Sequence, residues 1–313
     1  MIAILAPGQG SQSPGMLAPW LELPGAREKV DRWSELTGLD LARLGTTADA
    51  EEIRDTAVTQ PLVVALALLG HAHLRDTVTL PDDPLVAGHS IGELAAAAIA
   101  GVLTEDDAVT LAAVRGREMA AACRLAPTGM AAVMGGGERA EVVEWLAGHD
   151  LVAANENGAG QIVAAGSEAH IDKLVAEGRP GTKVIKLKVA GAFHTHYMEP
   201  ARAAMAAHAG SVRTTDATTT LLSNADGAEV RAGGEVLDRL VAQVTRPVRW
   251  DACMATMAGR GVRIVVELPP AGALTGLARR ELQGVTVLAL KTPATAAKLT
   301  DALAAAGNQG GDS

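Results

Sequence analysis

Short apolar runs alternate with helical segments along the chain, and glycine-rich loops separate them. Ile2 to Leu5, Leu85 to Ala87 and Val262 to Leu268 have the composition of buried strands. Gln60 to Leu69 reads as an apolar helix, and Glu93 to Ala100 as an alanine-rich helical segment. This alternation predicts an α/β fold whose large domain contains a parallel sheet.

A middle segment has its own order of elements. It predicts strand 130–134, helix 138–147, strand 151–155, a turn at Asn157-Gly158, strand 161–165, a helix over 168–177 capped by Ser167, and strand 182–189. This order is the ferredoxin-like arrangement. We therefore predict a small ferredoxin-like domain at residues 127–190, inserted into a large domain made of residues 1–126 and 191–313. The polar, glycine-rich tail at 307–313 predicts disorder.

Composition excludes several classes of function. The chain has 313 residues, a net charge of −9 and only 2% aromatic residues, which disfavours nucleic-acid binding. Cys123 and Cys253 are far apart and form no C-x-x-C pair, so a zinc ribbon or redox motif is not expected. The N-terminus lacks the basic region of a signal peptide, and Pro61 to Gly70 is too short to span a membrane. We expect a soluble, cytoplasmic protein.

The strongest motif is Gly88-His89-Ser90-Ile91-Gly92, between a predicted strand and a predicted helix. This is the context of a G-x-S-x-G nucleophile elbow, in which the serine hydroxyl stands at a sharp turn near the helix N-terminus. Such a serine can attack an acyl carbon, and nearby backbone N–H groups can bind the oxyanion. The alternative is a glycine-rich turn that contains a serine without a catalytic role.

A serine nucleophile needs a base. His89 adjoins the serine, but adjacent residues on a sharp turn usually point apart. His194 and His196 follow the small domain, downstream of the serine as in α/β-hydrolases, and residue type does not separate them. Each could also be a structural histidine. Metal binding by the His-x-His pair is the third interpretation, although no cysteine or carboxylate cluster stands at ligand spacing.

Several motifs together resemble one family. They are Gly8-Gln9-Gly10-Ser11-Gln12, Gly88-His89-Ser90-Ile91-Gly92-Glu93, Arg115-Gly116, Ala192-Phe193-His194, and Gln243 before Arg246-Pro247-Val248. In order and spacing they resemble the malonyl-CoA:acyl-carrier-protein transacylases and the related acyltransferase domains of polyketide synthases. The resemblance covers nearly the whole chain. It implies an α/β-hydrolase-like large domain with an inserted small domain.

The resemblance assigns a role to each matching residue. Ser90 would be the nucleophile that becomes the malonyl ester, and His194 the general base and then the general acid. The backbone carbonyl of Gln243 would orient that histidine in place of a carboxylate. The backbone N–H groups of Gln9 and Ile91 would form the oxyanion hole.

Substrate choice would depend on two further positions. Arg115 lies on the helix that Thr104 caps, and the resemblance implies that it binds the free carboxylate of the malonyl group. The alternative is an exposed arginine paired with Glu118 one turn on. Phe193 resembles the bulky residue of malonyl-selective members, many of which have histidine where this chain has Gly191.

The implied reaction is ping-pong transfer from malonyl-CoA to the phosphopantetheine thiol of acyl carrier protein, for fatty acid or polyketide synthesis. It requires no cofactor and no metal, and the resemblance implies a monomer. An acidic carrier predicts a basic docking surface, for which the candidates are Lys183, Lys186, Lys188, Arg202, Arg246 and Arg249; solvated surface charges are the alternative.

Two other functions remain open: a hydrolase using Asp226 or Glu267 as the acid of a triad, and a non-catalytic carrier-binding scaffold.

Overall fold

The computed structural model describes residues 1–308 of the chain. Its strands are β1 (Ile2–Ala6), β2 (Leu85–Gly88), β3 (Thr128–Gly135), β4 (Val152–Gly158), β5 (Gln161–Ser167), β6 (Thr182–Lys186), β7 (Val248–Arg249), β8 (Ile264–Glu267) and β9 (Thr286–Ala289). Its helices are α1 (Ala18–Leu21), α2 (Ala26–Thr37), α3 (Leu41–Thr46), α4 (Thr56–Thr77), α5 (Gly92–Ile99), α6 (Glu105–Cys123), α7 (Arg139–Ala147), α8 (Glu168–Glu177), α9 (Glu199–Ala209), α10 (Gly233–Gln243), α11 (Trp250–Gly259), α12 (Ala273–Glu281) and α13 (Ala297–Asn308). Helix α13 extends to Asn308, and residues 309–313 of the predicted tail lie outside the described residues.

The larger domain is built on a parallel sheet. Its strand order is β2-β1-β8-β9, and every pair in it is parallel. All five residues of β1 are buried, as expected for a parallel strand that helices cover on both faces. The three predicted strands of this sheet are confirmed. The fourth, β9, has only half-buried or exposed side chains and carries no clear strand pattern.

The second sheet has the order β6-β3-β5-β4-β7. Its first four strands pair antiparallel in the ferredoxin-like order, and two helices connect them. Strand β7, from much later in the chain, adds to the edge in parallel with β4. The predicted fold class is therefore confirmed: an α/β protein with a parallel sheet and a second, ferredoxin-like sheet.

Two details of the small sheet differ from the prediction. The hairpin turn lies at Ala159-Gly160, where φ is +48° and +68°, rather than at Asn157-Gly158. Irregular pairing lets β4 continue through Gly158. The Asn157 side chain bonds to His89 through its Oδ1 and donates across the hairpin to the Gln161 Oε1 at 2.9 Å. Strand β6 ends at Lys186 rather than at residue 189, because the chain then leaves the sheet toward Gly191.

Helix starts follow the local sequence signals. The Thr104 hydroxyl accepts a hydrogen bond from the backbone N–H of Asp107 at 3.0 Å. The Ser167 hydroxyl accepts one from the N–H of His170 at 3.2 Å. Both side chains satisfy amide groups that a helix N-terminus leaves unpaired, so both predicted caps are confirmed.

Helix α4 is longer than the apolar run predicted inside it. Its 22 residues are long and apolar enough to cross a membrane, and among the described residues it is the one helix that passes this test. However, 72% of its most apolar window is buried inside the protein. Its most extensive contact with another element is with α6. We interpret it as a core helix.

We expect Gly92→Ala to destabilise the protein because β1 and the elbow meet without space for a side chain. A Cβ at Gly92 would lie 2.3 Å from the carbonyl oxygen of Ala6. Such overpacking costs about 1–3 kcal/mol of unfolding free energy. Thermal and urea unfolding measure the loss. The matched control is Gly234→Ala in α10, where no atom lies within 4 Å of the new Cβ; equal stability of the two variants would contradict this expectation.

Candidate active site

The turn between β2 and α5 has the geometry of a nucleophile elbow. Ser90 has a φ of +53°, a strained value for a residue with a side chain. Gly88 and Gly92 allow the turn: a Cβ at Gly88 would lie 2.1 Å from the carbonyl carbon of Gly92. The strain and the close approach together raise the Ser90 hydroxyl above the carboxyl end of the parallel sheet, where such sheets bind ligands.

His194 lies against the serine. Its Nε2 is 2.8 Å from the Ser90 Oγ, and its Nδ1 is 2.9 Å from the backbone carbonyl oxygen of Gln243. Because a carbonyl only accepts, Nδ1 carries the proton and Nε2 is left to accept the serine proton. Burial, followed by the positive charge of Arg115, lowers the pKa of His194 to about 3. The imidazole is therefore neutral at physiological pH, as a base must be.

The other two candidate histidines lie elsewhere. His196 is exposed and packs on the ring of Tyr197. The His89 Nε2 is 2.9 Å from the Asn157 Oδ1 in the small sheet, and among the described residues the Ser90 Oγ bonds to His194 and Arg115 rather than to His89. Burial lowers the pKa of His89. Among the described residues, no three His, Cys, Asp or Glu side chains are grouped to hold a metal ion.

Arg115 is buried beside the serine, with 2% of its surface exposed. Its guanidinium donates to the Gln60 Oε1 at 2.8 Å, to the Gln243 Oε1 at 3.1 Å and to the Ser90 Oγ at 3.3 Å. Burial lowers its pKa to about 10. Within the part of the chain that the structure describes, no carboxylate forms an ion pair with it. The surface pair of Glu118 is instead with Arg117.

A buried polar network underlies these residues. The Glu93 carboxyl group accepts hydrogen bonds from the backbone N–H of Asn224 at 2.6 Å and from the Gln243 Nε2. Asn224 in turn accepts from the Ser90 N–H with its Oδ1 and donates to the Gly88 carbonyl, both at 2.8 Å. Burial raises the pKa of Glu93 to about 8, although Arg115 and the hydrogen bonds act in the opposite direction.

No sequence pattern predicts the roles of Gln60, Glu93 and Asn224 in this network. Glu93 carried one usable signal, since it is a charged residue that directly follows G-x-S-x-G in an alanine-rich helix. Gln60 begins a run that reads simply as apolar helix, and Asn224 stands in a loop without periodicity. Their contacts span 55 to 150 positions in the chain, so no local pattern reveals them.

The Gln9 loop packs against the elbow. The Gln9 Nε2 lies 3.3 Å from the Thr56 Oγ1, at the start of α4. A Cβ at Gly92 would lie 2.7 Å from the carbonyl of Pro7, so the loop and the elbow touch. Among the described residues, the backbone N–H groups of Gln9 and Ile91 have no hydrogen-bond acceptor. Two free N–H groups are what an oxyanion hole requires.

Phe193 is buried next to the histidine, with 8% of its surface exposed. A Cβ at Gly191 would lie 2.6 Å from the Cys123 Sγ and 2.9 Å from the Thr128 Oγ1. The space that a histidine side chain would need at position 191 is thus already filled. This packing gives a physical reason for the glycine.

The carboxylates proposed for a hydrolase triad do not reach His194. Asp226 is exposed and pairs with Arg239 at 2.8 Å. Glu267 is fully buried, but it accepts hydrogen bonds from the backbone N–H groups of Gly272, Leu274 and Thr275. Neither therefore occupies the position of a triad acid.

Three of the six candidate basic residues are neutralised. Lys186 pairs with Asp172 and Glu168, Arg202 with Glu199, and Arg249 with Asp251. Lys183, Lys188 and Arg246 are exposed and form no ion pair with the residues that the structure describes.

The parallel sheet, the strained serine and its histidine define the class of serine-dependent acyl-transfer proteins. Residues 4–302 match the family described as acyl transferase domain, and the chain belongs to this family. It is 56% identical over 295 residues to the malonyl CoA-acyl carrier protein transacylase of Mycobacterium tuberculosis, covering 94% of this chain and 97% of that one. The transacylase of the same name from Escherichia coli K12 is 32% identical over 302 residues, covering 94% and 97%.

Solved structures are similar as well. The crystal structure of MCAT from Mycobacterium tuberculosis aligns with a TM-score of 0.92 at 55% identity, over 96% of this chain and 99% of that one. An acyl-carrier-protein-S-malonyltransferase from Bartonella henselae aligns with a TM-score of 0.90 at 29% identity, over 97% and 99%. The predicted family is therefore confirmed.

We expect His194→Ala to slow acylation of Ser90 by about 10²–10⁴-fold, the usual contribution of a general base. Stopped-flow release of thiol from the acyl donor measures this rate. His196→Ala is the control and should stay within about twofold of wild type, because that ring is exposed and has no contact with Ser90. A comparable loss in both variants would contradict the assignment of the base.

Proposed function

We propose that this protein transfers the malonyl group from malonyl-CoA to the phosphopantetheine thiol of acyl carrier protein through an ester on Ser90. The observation that carries the proposal is the buried guanidinium of Arg115, 3.3 Å from the Ser90 Oγ and without a carboxylate partner among the described residues. A buried cation beside a nucleophile favours an acyl group that carries its own negative charge. The names of the similar transacylases support the same substrates.

In the first half-reaction, the Ser90 Oγ attacks the thioester carbon while the His194 Nε2 takes the hydroxyl proton. The backbone N–H groups of Gln9 and Ile91 bind the oxyanion of the tetrahedral intermediate. Its collapse breaks the carbon–sulfur bond, and His194 returns the proton to the sulfur of coenzyme A. The malonyl ester remains on Ser90, with its free carboxylate on Arg115.

The second half-reaction repeats these steps with a different nucleophile. The carrier thiol gives its proton to His194 and attacks the ester carbon. The carbon–oxygen bond then breaks, and His194 returns the proton to the Ser90 Oγ. No redox step, cofactor or metal enters this scheme. The Gln243 carbonyl keeps the histidine in the same tautomer throughout, because its bond to Nδ1 is unaffected by either transfer.

The remaining assignments form part of the same proposal. Residues 127–190 form the small domain, and 1–126 with 191–313 form the catalytic domain. Phe193 restricts the acyl pocket to malonyl, and Lys183, Lys188 and Arg246 offer unpaired charge to an acidic carrier. The protein acts as a cytoplasmic monomer, without nucleic acid or membrane, in fatty acid synthesis and, where a suitable carrier exists, in polyketide synthesis.

Intact-protein mass spectrometry tests the function directly. We expect malonyl-CoA to add one malonyl group to the wild-type protein, and phosphopantetheinylated carrier protein to remove it as malonyl-carrier. Ser90→Ala should form no adduct. Release of free malonate without carrier would indicate a hydrolase instead, and binding of carrier with neither adduct nor turnover would indicate a scaffold.

We expect Arg115→Ala to reduce malonyl transfer at least about 30-fold more than acetyl transfer, because a hydrogen bond to a charged group contributes about 1.5–3 kcal/mol and two can form here. The ratio of kcat/KM for malonyl-CoA and acetyl-CoA measures this loss. Arg117→Ala is the control, since that side chain is exposed and paired with Glu118. Equal losses for both acyl donors would refute the carboxylate-binding role.

A further inference from the structure

Glu93 is a buried carboxyl that the reaction scheme does not use. It lies in the first turn of α5, three positions after Ser90, and only 6% of it is exposed. Among the described residues, no lysine or arginine forms an ion pair with it. Its hydrogen-bond donors are the Gln243 Nε2 and the backbone N–H of Asn224. Burying a carboxyl group is unfavourable unless it is hydrogen-bonded, so these two donors offset part of that cost.

The contact with Gln243 supports the orientation in which that amide presents its oxygen to Arg115, together with a donation from the Gln243 Nε2 to the Asn224 Oδ1 at 3.3 Å. Because the Gln243 Nε2 donates to Glu93, its Oε1 faces the opposite side and accepts from the Arg115 guanidinium at 3.1 Å. A reversed amide would place an NH₂ group against the N–H groups of Arg115, and both would be donors. The same residue presents its backbone carbonyl to His194. Glu93 thus acts on the arginine and the histidine through one neighbour.

The contact with Asn224 connects Glu93 to the backbone of Ser90. With its backbone held by Glu93, Asn224 uses its Oδ1 to accept from the Ser90 N–H and its Nδ2 to donate to the Gly88 carbonyl. These two hydrogen bonds of the Asn224 side chain hold the backbone of the elbow at Gly88 and Ser90. A φ of +53° at Ser90 is strained, so the elbow needs such support.

We propose that Glu93 is a positioning residue for acyl transfer, which holds Gln243 and Asn224 so that Arg115, His194 and Ser90 stay aligned. The proposal deepens the proposed function and rests on it. Glu93 touches neither the serine hydroxyl nor the histidine, so it acts through these two neighbours. The competing interpretation is a purely structural carboxyl, for which Glu267 is the matched example, because it is buried and accepts only from backbone amides.

The test compares Glu93→Gln with Glu267→Gln. A glutamine at position 93 can turn its NH₂ group toward the Gln243 Nε2, where two donors would face each other, so Gln243 loses its support on the side opposite Arg115. We expect the KM for malonyl-CoA to rise on the order of tenfold, the value of one hydrogen bond to a charged group, with a smaller change for acetyl-CoA. Glu267→Gln should lower the melting temperature and leave the malonyl-to-acetyl ratio of kcat/KM unchanged.

A double-mutant cycle separates positioning from general damage. If Glu93 acts through Arg115, adding Glu93→Gln to Arg115→Ala should not change the malonyl-to-acetyl ratio further. The proposal is overturned if Glu93→Gln leaves the ratio at the wild-type value, or if Glu267→Gln changes it equally. If Glu93→Gln does not fold, Glu93→Asp replaces it in the test, because the shorter aspartate side chain cannot reach both Gln243 and Asn224. The same change in the malonyl-to-acetyl ratio then supports the proposal, and an unchanged ratio overturns it.

A neutral ester distinguishes failure of this inference from failure of the proposed function. If the wild-type protein forms no malonyl adduct, the proposed function fails. The rate at which p-nitrophenyl acetate acetylates Ser90 still reports on the serine and histidine alignment. Slower acetylation in Glu93→Gln but not in Glu267→Gln supports the positioning role, and equal rates in both variants overturn it.

Discussion

The buried positive charge of Arg115 is the constraint around which the rest of the site is arranged. Its guanidinium is almost entirely removed from water, and its contacts are the amide oxygens of Gln60 and Gln243 and the serine hydroxyl. Removing such a charge from water costs several kcal/mol, which neutral dipoles offset only in part. An acyl group with a free carboxylate completes the compensation, whereas an acetyl group does not. Under the proposed function, selectivity for malonyl follows from this incompletely paired charge.

The same charge explains why the histidine partner is a carbonyl. Arg115 and burial both lower the pKa of His194, so the imidazole is neutral and ready to accept a proton. A carboxylate at Nδ1 would favour the imidazolium and would also compete with the substrate for Arg115. The Gln243 carbonyl fixes the tautomer without adding negative charge. The nearby carboxyl of Glu93 is separated from the guanidinium by the side chain of Gln243.

The sequence predicted the features that local chemistry determines. The elbow at Ser90, the cap at Thr104 and the strand β1 each depend on a few consecutive residues, and each is readable from them. Gln243 was found only through the resemblance, because a backbone carbonyl has no signature in the sequence. Glu93 and Asn224 were missed because their contact joins positions 131 apart. The weak strand β9 was missed because its side chains are only partly buried at a sheet edge.

The small sheet has links to both Ser90 and His194. His89, next to the nucleophile, lies 2.9 Å from Asn157 at the end of β4 and packs edge-on against Trp250. Strand β7 pairs with β4 and follows Gln243 by only five residues. The Gln243 carbonyl that accepts from the His194 Nδ1 is thus connected to the small sheet by a short link, and Ser90 is connected to it through the neighbouring His89. A displacement of the small sheet would act on both partners of the proton transfer together.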